Sequence, residues 1–264
     1  MIIDRYTIKH RMSLVSYAKV KVKRVIRGIV DPIVPCLNTE LETVFVVGCG
    51  HSGTTLVAAK LSRLAQCYCA SWETNSFHPD LGLYWSRAVF GTLIKIAEGG
   101  GARVIVEKTP KHIHCQARIL RLLPRAKFIV VLRNPLDTCA SLFRRFGDLD
   151  YSIERWNLDN QAALAVLQSK AAIVVRYEQL VTQSLGELAA LASFAGLDWS
   201  DDAVHEGSTA FSAAGSLEPT MLLRSKQVSE PIAARVNVWS EVFTPAMADE
   251  VRTRTGVIAN DLGY

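Results

Sequence analysis

Short runs of apolar residues alternate along this chain with longer stretches of helical period. Four runs of three to six residues are rich in valine and isoleucine, which is typical of strands buried on both faces of a parallel sheet. These predicted strands span 44–47, 104–106, 127–132 and 171–175. Predicted helices lie between and after them, at 54–65, 113–123, 136–145, 151–168 and 185–194. The repeated strand–helix order predicts an α/β fold, a single domain with three layers, α/β/α, around a central parallel sheet.

The first predicted strand runs into a glycine-rich turn at residues 48–55, GCGHSGTT, just before the first helix. Glycine allows tight or positive-φ backbone, and the start of a helix presents unpaired N–H groups and a positive dipole to an anion. The spacing G-x-x-x-x-G is that of the nucleotide-binding P-loop, but Thr54 stands where that motif has its lysine. The turn therefore predicts a P-loop-like site for phosphate or sulfate that differs from the site of an ordinary NTPase.

Further polar residues follow the other predicted strands. Ligands of open α/β sheets bind at the carboxyl ends of the strands, which is where Lys108 and Arg133 are expected. Asn134 is a helix-cap signal, and Ser141 lies two helical turns beyond it, so its hydroxyl can share a side with the Arg133 guanidinium. This pair predicts a second anion site, and Tyr177, just past the last strand, is placed to meet a nucleobase.

Composition and charge limit the partners. With 264 residues, 49% of them hydrophobic, the chain can bury one large core, and we expect one domain at 36–264 preceded by a basic arm or helix at 1–35. The arm holds eight Lys or Arg against two acids, which fits either a solvated helix or contact with an anionic membrane surface. A second basic block, 103–145, suits a compact polyanion. Neither block interleaves aromatics or carries a nucleic-acid motif, so no nucleic-acid partner is expected.

The cysteines and the hydropathy predict a cytoplasmic location. Six cysteines show neither a C-x-x-C pair nor a repeated spacing, so a disulfide framework and a cysteine metal site are both poorly supported. No run of about eighteen apolar residues is present, so no membrane span is predicted. Peripheral contact with the inner membrane face through the basic arm remains open.

Over residues 44–180 the chain resembles the sulfotransferases that use 3′-phosphoadenosine 5′-phosphosulfate (PAPS), and more loosely at residues 262–264, Leu-Gly-Tyr. In that family the glycine loop binds the 5′-phosphosulfate and carries Arg or Lys ahead of Ser-Gly-Thr-Thr, whereas here His51 holds that position. Histidine is only partly charged near neutral pH, so its help to the bridging oxygen would depend on pH. The resemblance implies that these loop residues bind the donor: Gly50, His51, Ser52, Gly53, Thr54 and Thr55.

The same resemblance assigns the rest of the donor site. An arginine with a serine eight residues later binds the 3′-phosphate in this family, which implies that role for Arg133 and Ser141. Tyr177 would approach the adenine. Ser225 lies in a segment that loosely matches the donor-covering segment of the tyrosyl-protein branch. The co-substrate would be PAPS, the product 3′-phosphoadenosine 5′-phosphate (PAP), and no metal is needed.

The resemblance also implies a general base. The small-molecule branch has a histidine directly after Lys-Thr, but here Pro110 follows Lys108-Thr109. The carbohydrate and tyrosyl-protein branches use a glutamate beyond the loop, and Glu73 lies twenty-two residues after His51. Glu73 would accept the acceptor's proton while Lys108 and His51 stabilise the leaving and sulfuryl oxygens. Two histidines are lesser candidates for the base: His78 and His112.

The expected function is therefore sulfuryl transfer to an acceptor hydroxyl, on a saccharide or a glycolipid, and a peptide tyrosine or a small alcohol stays open as the acceptor. Two alternatives stay open. A P-loop nucleotide kinase or NTPase is disfavoured because its lysine is missing and no apolar strand ends in an evident magnesium-binding aspartate. A non-catalytic module that binds adenosine bisphosphate is favoured only by the unusual His51. Other histidines, including His114, are expected at the surface.

Overall fold

The computed structural model describes residues 30–70, 72–199 and 236–264 of the chain. Most of the predicted basic arm, residues 1–29, and the predicted donor-site residue Ser225 lie outside the described residues. Within the described part, no helix has the length and apolarity needed to cross a membrane.

A five-stranded parallel sheet forms the centre of the protein, with the strand order β2-β3-β1-β4-β5. The strands are β1 (Glu42–Gly48), β2 (Cys67–Cys69), β3 (Val104–Lys108), β4 (Lys127–Leu132) and β5 (Ala172–Arg176). The predicted α/β fold and four of its strands are confirmed. The sequence missed β2 because it has only three residues and two of them are only partly buried, so it carries no apolar run.

Eight α-helices surround the sheet in the described residues. They are α1 (Thr54–Leu61), α2 (Leu83–Gly99), α3 (Gln116–Leu122), α4 (Pro135–Phe146), α5 (Leu149–Leu167), α6 (Tyr177–Thr182), α7 (Ser184–Ala195) and α8 (Pro245–Asp261). Short 3-10 turns span Asp31–Ile33, Pro110–His114 and Val238–Glu241. The predicted helix at 113–123 is divided between the second of these turns and α3. Sequence periodicity missed α2, α6 and α8: α6 is short, and α2 is apolar on two sides.

The two faces of the sheet bury different cores. Alternate residues of β1 point to opposite faces, as a strand requires, with Val44 and Val46 on one and Phe45 and Val47 on the other. The valine face packs against α1 and α7. The other face packs against α2, α3, α5 and α8, and there Phe45 stacks on Phe128 with ring centroids 5.8 Å apart. Helices on both faces make the predicted three layers.

The strand order creates a crevice between β1 and β4. From β1 the chain moves to one side of the sheet and from β4 to the other, so the carboxyl ends of these neighbours form a topological switch point. Gly48 ends β1 opposite Val131 with φ +147°, and a Cβ there would lie 2.4 Å from the Val131 carbonyl oxygen. Glycine is therefore required for the chain to turn out of the sheet at this point.

The end of the predicted arm packs on the domain. Asp31 Oδ1 accepts the Leu83 N–H at the start of α2 over 2.7 Å, and Val34 is buried. The Arg87 side chain donates to the Pro35 carbonyl oxygen over 3.1 Å. Residues 30–35 thus belong to the packed body, while the boundary predicted at residue 36 stays a prediction.

Candidate active site

The glycine loop joins β1 to α1 at the switch point. His51 and Gly53 take the left-handed conformation, with φ 70° and 102°. Gly53 is the N-cap of α1, and no described side chain caps that end. The Leu56 N–H donates to the Gly53 carbonyl oxygen over 3.0 Å, so the N–H groups of Thr54 and Thr55 are the ones placed to meet an anion. A Cβ at Gly53 would lie 2.5 Å from the Tyr177 ring, so this glycine allows the loop and β5–α6 to meet.

The polar side chains of the loop differ in exposure. Thr54 and Ser52 are buried, and Thr55 is half-buried. Among the described residues Ser52 Oγ has no hydrogen-bond partner, although its backbone N–H donates to the Cys49 carbonyl oxygen over 3.2 Å. At Gly50 the space where a Cβ would point is open to 4 Å. The loop therefore combines unused donors with open space, as an anion site requires.

Arg133 lies against this loop at the end of β4. Its Nη1 donates to the His51 carbonyl oxygen over 3.1 Å, and its guanidinium lies 4.3 Å from the centroid of the Tyr177 ring. The contact with Asp137 is longer, 3.9 Å. The Arg133 side chain is 7% exposed, so the guanidinium is fixed by loop backbone and an aromatic face more than by the aspartate.

Ser141 is brought to the same place by α4. The cap predicted at Asn134 is present, since its side chain accepts the Asp137 N–H over 2.8 Å, and Pro135 begins the helix. Ser141 Oγ lies 2.8 Å from His51 Nδ1. The ring expected beside the bridging oxygen is thus hydrogen-bonded to the serine expected beside the 3′-phosphate.

Tyr177 is the first residue of α6 and is buried. Its ring packs against Gly53 on one side and the Arg133 guanidinium on another. The structure shows it as the contact that holds the arginine and the loop together. The adenine contact stays a prediction.

Lys108 and Glu73 form an ion pair at the end of β3. Lys108 Nζ donates to Glu73 Oε1 over 3.0 Å, with the lysine side chain 3% exposed and the glutamate 28%. The two residues lie thirty-five positions apart and were predicted as acid–base and charge partners of one reaction. The fold brings them into direct contact on the solvent-facing edge of the crevice.

The buried carboxylate of Glu107 is a component that the sequence did not reveal. Glu107 is 1% exposed and accepts hydrogen bonds from Thr109 Oγ1 over 2.6 Å and Thr74 Oγ1 over 2.8 Å, and from His112 Nδ1 over 2.8 Å. Burial alone would raise the pKa of this carboxyl, but the His112 ring and the three hydrogen bonds outweigh it and lower the pKa. In the sequence, the one feature that could have indicated this network is a charged residue within an apolar strand.

His112 is not available as a base. Its Nε2 accepts the Phe77 N–H over 3.2 Å, so Nδ1 carries the proton and donates to Glu107. Both ring nitrogens are therefore used, and the side chain is fully buried. The other lesser candidate, His78, accepts the Asp80 N–H in its own turn over 3.0 Å. Glu73 remains the base candidate that contacts Lys108.

The Glu107 network also fixes the segment that carries Glu73. Thr74 is bonded to Glu107 directly, and the Asn75 N–H donates to Thr109 Oγ1 over 3.3 Å. With the bond from Phe77 to His112, three of the four residues after Glu73 are anchored to the end of β3. Glu73 is therefore positioned by the strand that also carries Lys108.

A second buried network lies beneath the glycine loop. Asp159 on α5 contacts Arg155 Nε at 2.5 Å and His114 Nε2 at 2.6 Å. The prediction of His114 at the surface was wrong, because its side chain is 6% exposed and serves this aspartate. Burial, and next the charge of Asp159, raise the pKa of the Cys49 thiol, so this loop cysteine stays protonated. All six cysteines are free thiols.

The C-terminal residues complete the edge beside Arg133. Arg176, the last residue of β5, donates to the Leu262 carbonyl oxygen over 2.5 Å and lies 4.7 Å from the Tyr264 ring centroid. Tyr264 donates to Glu178 over 3.3 Å, and Glu178 in turn accepts the Asn134 N–H over 2.9 Å. Burial raises the pKa of Tyr264. These contacts connect the loosely matching chain end to the cap of α4.

Comparison with known sequences agrees with this site. A model described as "Sulfotransferase family" matches residues 85–201, a range that includes Lys108, Arg133, Ser141 and Tyr177 but not the glycine loop. Protein-tyrosine sulfotransferase 2 of Gallus gallus is 24% identical over 207 residues, which cover 64% of this chain and 54% of that protein. Protein-tyrosine sulfotransferase A of Caenorhabditis elegans is 24% identical over 203 residues, 64% of this chain and 53% of that protein. The chain thus spans about half the length of these curated relatives.

Solved structures share the fold. The sulfotransferase domain of the Synechococcus PCC 7002 olefin synthase superposes with a TM-score of 0.62 at 17% identity, over 89% of this chain and 98% of that one. Mouse sulfotransferase SULT7A1, complexed with PAP, gives a TM-score of 0.55 at 17% identity, over 89% of this chain and 90% of that one. The family-model match over residues 85–201 and the common fold agree with each other: the chain is similar to sulfotransferases in sequence and in fold.

Proposed function

We propose that this protein transfers a sulfuryl group from PAPS to an acceptor hydroxyl. The observation that carries the proposal is that three elements lie at the carboxyl ends of the adjacent strands β3, β1 and β4: the Lys108–Glu73 ion pair, the uncapped glycine loop, and Arg133 with Ser141 beside His51. When bound, PAPS supplies the activated sulfuryl group. The curated relatives are named as sulfotransferases, and the mouse structure holds PAP, which supports the choice of donor.

The loop fits the phosphosulfate end of that donor. The first-turn N–H groups of α1 would donate to its oxygens, and Ser52 Oγ, a buried hydroxyl without a partner, would gain one. Arg133 and Ser141 would hold the 3′-phosphate, since a guanidinium and a hydroxyl beside an open loop suit a dianion. His51 bridges the two groups because its ring contacts Ser141 and its carbonyl contacts Arg133.

The ion pair fits the transfer step. Glu73 would take the proton of the acceptor hydroxyl, and Lys108 would place its charge on the oxygen that leaves the sulfur. In the described structure Lys108 Nζ is bonded to Glu73, and because an ammonium group has three N–H donors, the same lysine could also donate to the leaving oxygen of the donor.

The proposed acceptor is a hydroxyl group, and a transfer assay can determine its chemical class. A saccharide or glycolipid acceptor stays our prediction from the sequence. The names of the curated relatives support the peptide tyrosine that the sequence left open, whose phenol is also a hydroxyl acceptor. Transfer of labelled sulfate from PAPS should be measured against a panel of both acceptor classes, with Glu73→Gln as the inactive control.

Calorimetric titration with PAP tests the donor site without knowledge of the acceptor. Arg133→Ala should weaken binding by about 10- to 150-fold, because a charge-assisted hydrogen bond contributes about 1.5–3 kcal/mol. Arg145→Ala is the matched control, since Arg145 lies on α4 near Ser141 but is exposed, and should bind PAP like the native chain. Equal affinity in both variants would overturn the donor-site assignment.

The two alternatives predict different results. A kinase or NTPase would hydrolyse ATP with magnesium, which the proposed enzyme should not do. A binding module would hold PAP tightly yet transfer sulfate to neither acceptor class. Either result would replace the proposal with the corresponding alternative.

A further inference from the structure

Helix α2 is apolar on two opposite sides. Its core side packs under the sheet with Leu83, Phe90 and Leu93 among its buried residues. The opposite side carries an exposed row at helical spacing, which we call the α2 stripe. The α2 stripe consists of Trp85, Ala88, Val89, Thr92 and Ile96. Trp85 is 60% exposed and Ile96 is 51% exposed, which is unusual for side chains of this size.

The α2 stripe has no unpaired polar group and no charge. Its one hydroxyl, on Thr92, donates back to the Ala88 carbonyl oxygen over 3.0 Å. Of the charged residues of the helix, Lys95 borders the row, three residues after Thr92, while Arg87 and Glu98 lie further round the helix. Tyr84 flanks the row, 61% exposed, with its ring 5.7 Å from that of Trp85 in an edge-on contact. An apolar row bordered by Tyr and Trp has the composition of a surface that meets the lipid–water interface.

The basic segment of the chain joins the body at this helix. Asp31 accepts the Leu83 N–H, the first of α2, and pairs with Arg118 at 3.5 Å. These contacts hold residues 30–33 at the N-terminal end of α2, where Tyr84 and Trp85 follow Leu83 in the sequence. Ile33, in the same segment, is 78% exposed. The preceding residues 1–29 hold eight Lys or Arg and a single acid, Asp4. Cationic charge is therefore tethered at the start of the apolar row.

We infer that the α2 stripe, with Tyr84 and Ile33, is a docking surface for an anionic lipid bilayer. The apolar row would enter the headgroup region, and the cations of residues 1–29 would be attracted to the anionic headgroups. Neither signal alone gives firm attachment, but together they provide the two signals that peripheral binding requires. This inference does not depend on the sulfotransferase proposal.

A second copy of the chain is the less favourable occupant. A two-fold contact along α2 would place two copies of the same surface together. Each copy carries eight Lys or Arg in residues 1–29, so a dimer would bring two cationic segments into one complex. Anionic lipid compensates those charges, whereas a second copy repeats them.

Sedimentation with vesicles tests the inference on the full chain, without sulfate donor. The native chain should bind vesicles of phosphatidylcholine and phosphatidylglycerol in equal parts, and bind pure phosphatidylcholine far less. Trp85→Ser with Val89→Ser should weaken binding to the mixed vesicles by about tenfold or more, because two exposed apolar side chains no longer enter the interface. Lys21→Glu with Lys23→Glu should remove most of the preference for the anionic vesicles.

The matched control is Val257→Ser. Val257 is an exposed valine, 77%, on α8 and outside the α2 stripe, so this change should leave vesicle binding unaltered. Thermal unfolding of each variant shows that the changes act on the surface and not on folding. Native-like vesicle binding by the Trp85/Val89 variant would overturn the inference. So would a native dimer that this variant converts to a monomer while vesicle binding is unchanged, since a second copy would then be the occupant.

Discussion

The buried carboxylate of Glu107 should dominate the stability of the edge that carries Glu73. In Glu107→Gln the amide oxygen can still accept from Thr74 and Thr109, but the amide NH2 then faces the N–H of His112, donor against donor. His112 cannot relieve this by moving its proton, because Nε2 already accepts the Phe77 N–H. The substitution keeps the volume and removes only the charge and one acceptor.

The expected cost follows from those contacts. A lost charge-assisted bond of about 1.5–3 kcal/mol and a buried donor left unpaired, about 1–3 kcal/mol, give a destabilisation of about 3–5 kcal/mol. For a chain of this size that lowers the melting temperature by roughly 6–15 °C. Urea unfolding followed by tryptophan fluorescence measures the free energy, and thermal unfolding measures the shift.

Glu154→Gln is the matched control, because Glu154 is an exposed glutamate on α5 and the change should stay within about 0.5 kcal/mol. The difference in unfolding free energy between the native chain and Glu107→Gln should also depend on pH. The folded pKa of Glu107 is lowered, so the ionised carboxylate stabilises the native state above its unfolded pKa, and this contribution is lost as the pH falls below about 4. The difference between native chain and Glu107→Gln should therefore shrink in acid. A cost below about 1 kcal/mol at neutral pH would refute the network as described.

Two further predictions concern the loop and the thiols. Gly48→Ala should destabilise the fold by about 2–3 kcal/mol or more in urea unfolding, since φ is +147° and the new Cβ would lie 2.4 Å from the Val131 carbonyl oxygen. Gly99→Ala is the control, because a Cβ at Gly99 meets open space. Equal destabilisation by the two substitutions would contradict this explanation. With iodoacetamide at mildly alkaline pH, mass spectrometry should find the exposed Cys36 modified before Cys67. Burial raises the pKa of the Cys67 thiol to about 12, so the reactive thiolate of Cys67 is a fraction on the order of one in ten thousand. All six cysteines should react in denaturant, and modification of native Cys67 as fast as Cys36 would disprove the protection.

Local sequence signals were enough for much of the fold. The runs 127–132 and 44–47 became strands because valine-rich segments buried on both faces have few alternatives to a parallel sheet. The cap at Asn134 was predictable because its hydrogen bond to Asp137 is made within one turn. The α2 helix was missed for the opposite reason, since apolar residues on two sides obscure the helical period.

The candidate site was predicted as a set of residues but not as a set of contacts. Strand-end position indicated Lys108, Arg133 and Ser141, and the resemblance added Glu73. In the structure Lys108 contacts Glu73, while Arg133 and Ser141 each contact His51. The bond between His51 and Ser141 joins residues ninety positions apart, and no local pattern specifies it. The same holds for His112, whose tautomer depends on an N–H contributed by a distant segment.

By itself the sequence determined four of the five strands, the glycine turn and the helix start after Arg133, because apolar period, glycine and cap residues act over a few positions. Only the tertiary structure decided which polar groups are paired. The strand order places the ends of β1, β3 and β4 side by side, and that neighbourhood closes the Glu107 network and aligns Lys108 with Glu73. Hydrogen bonds require contact within about 3 Å, and such contact between distant residues exists only after the sheet has formed.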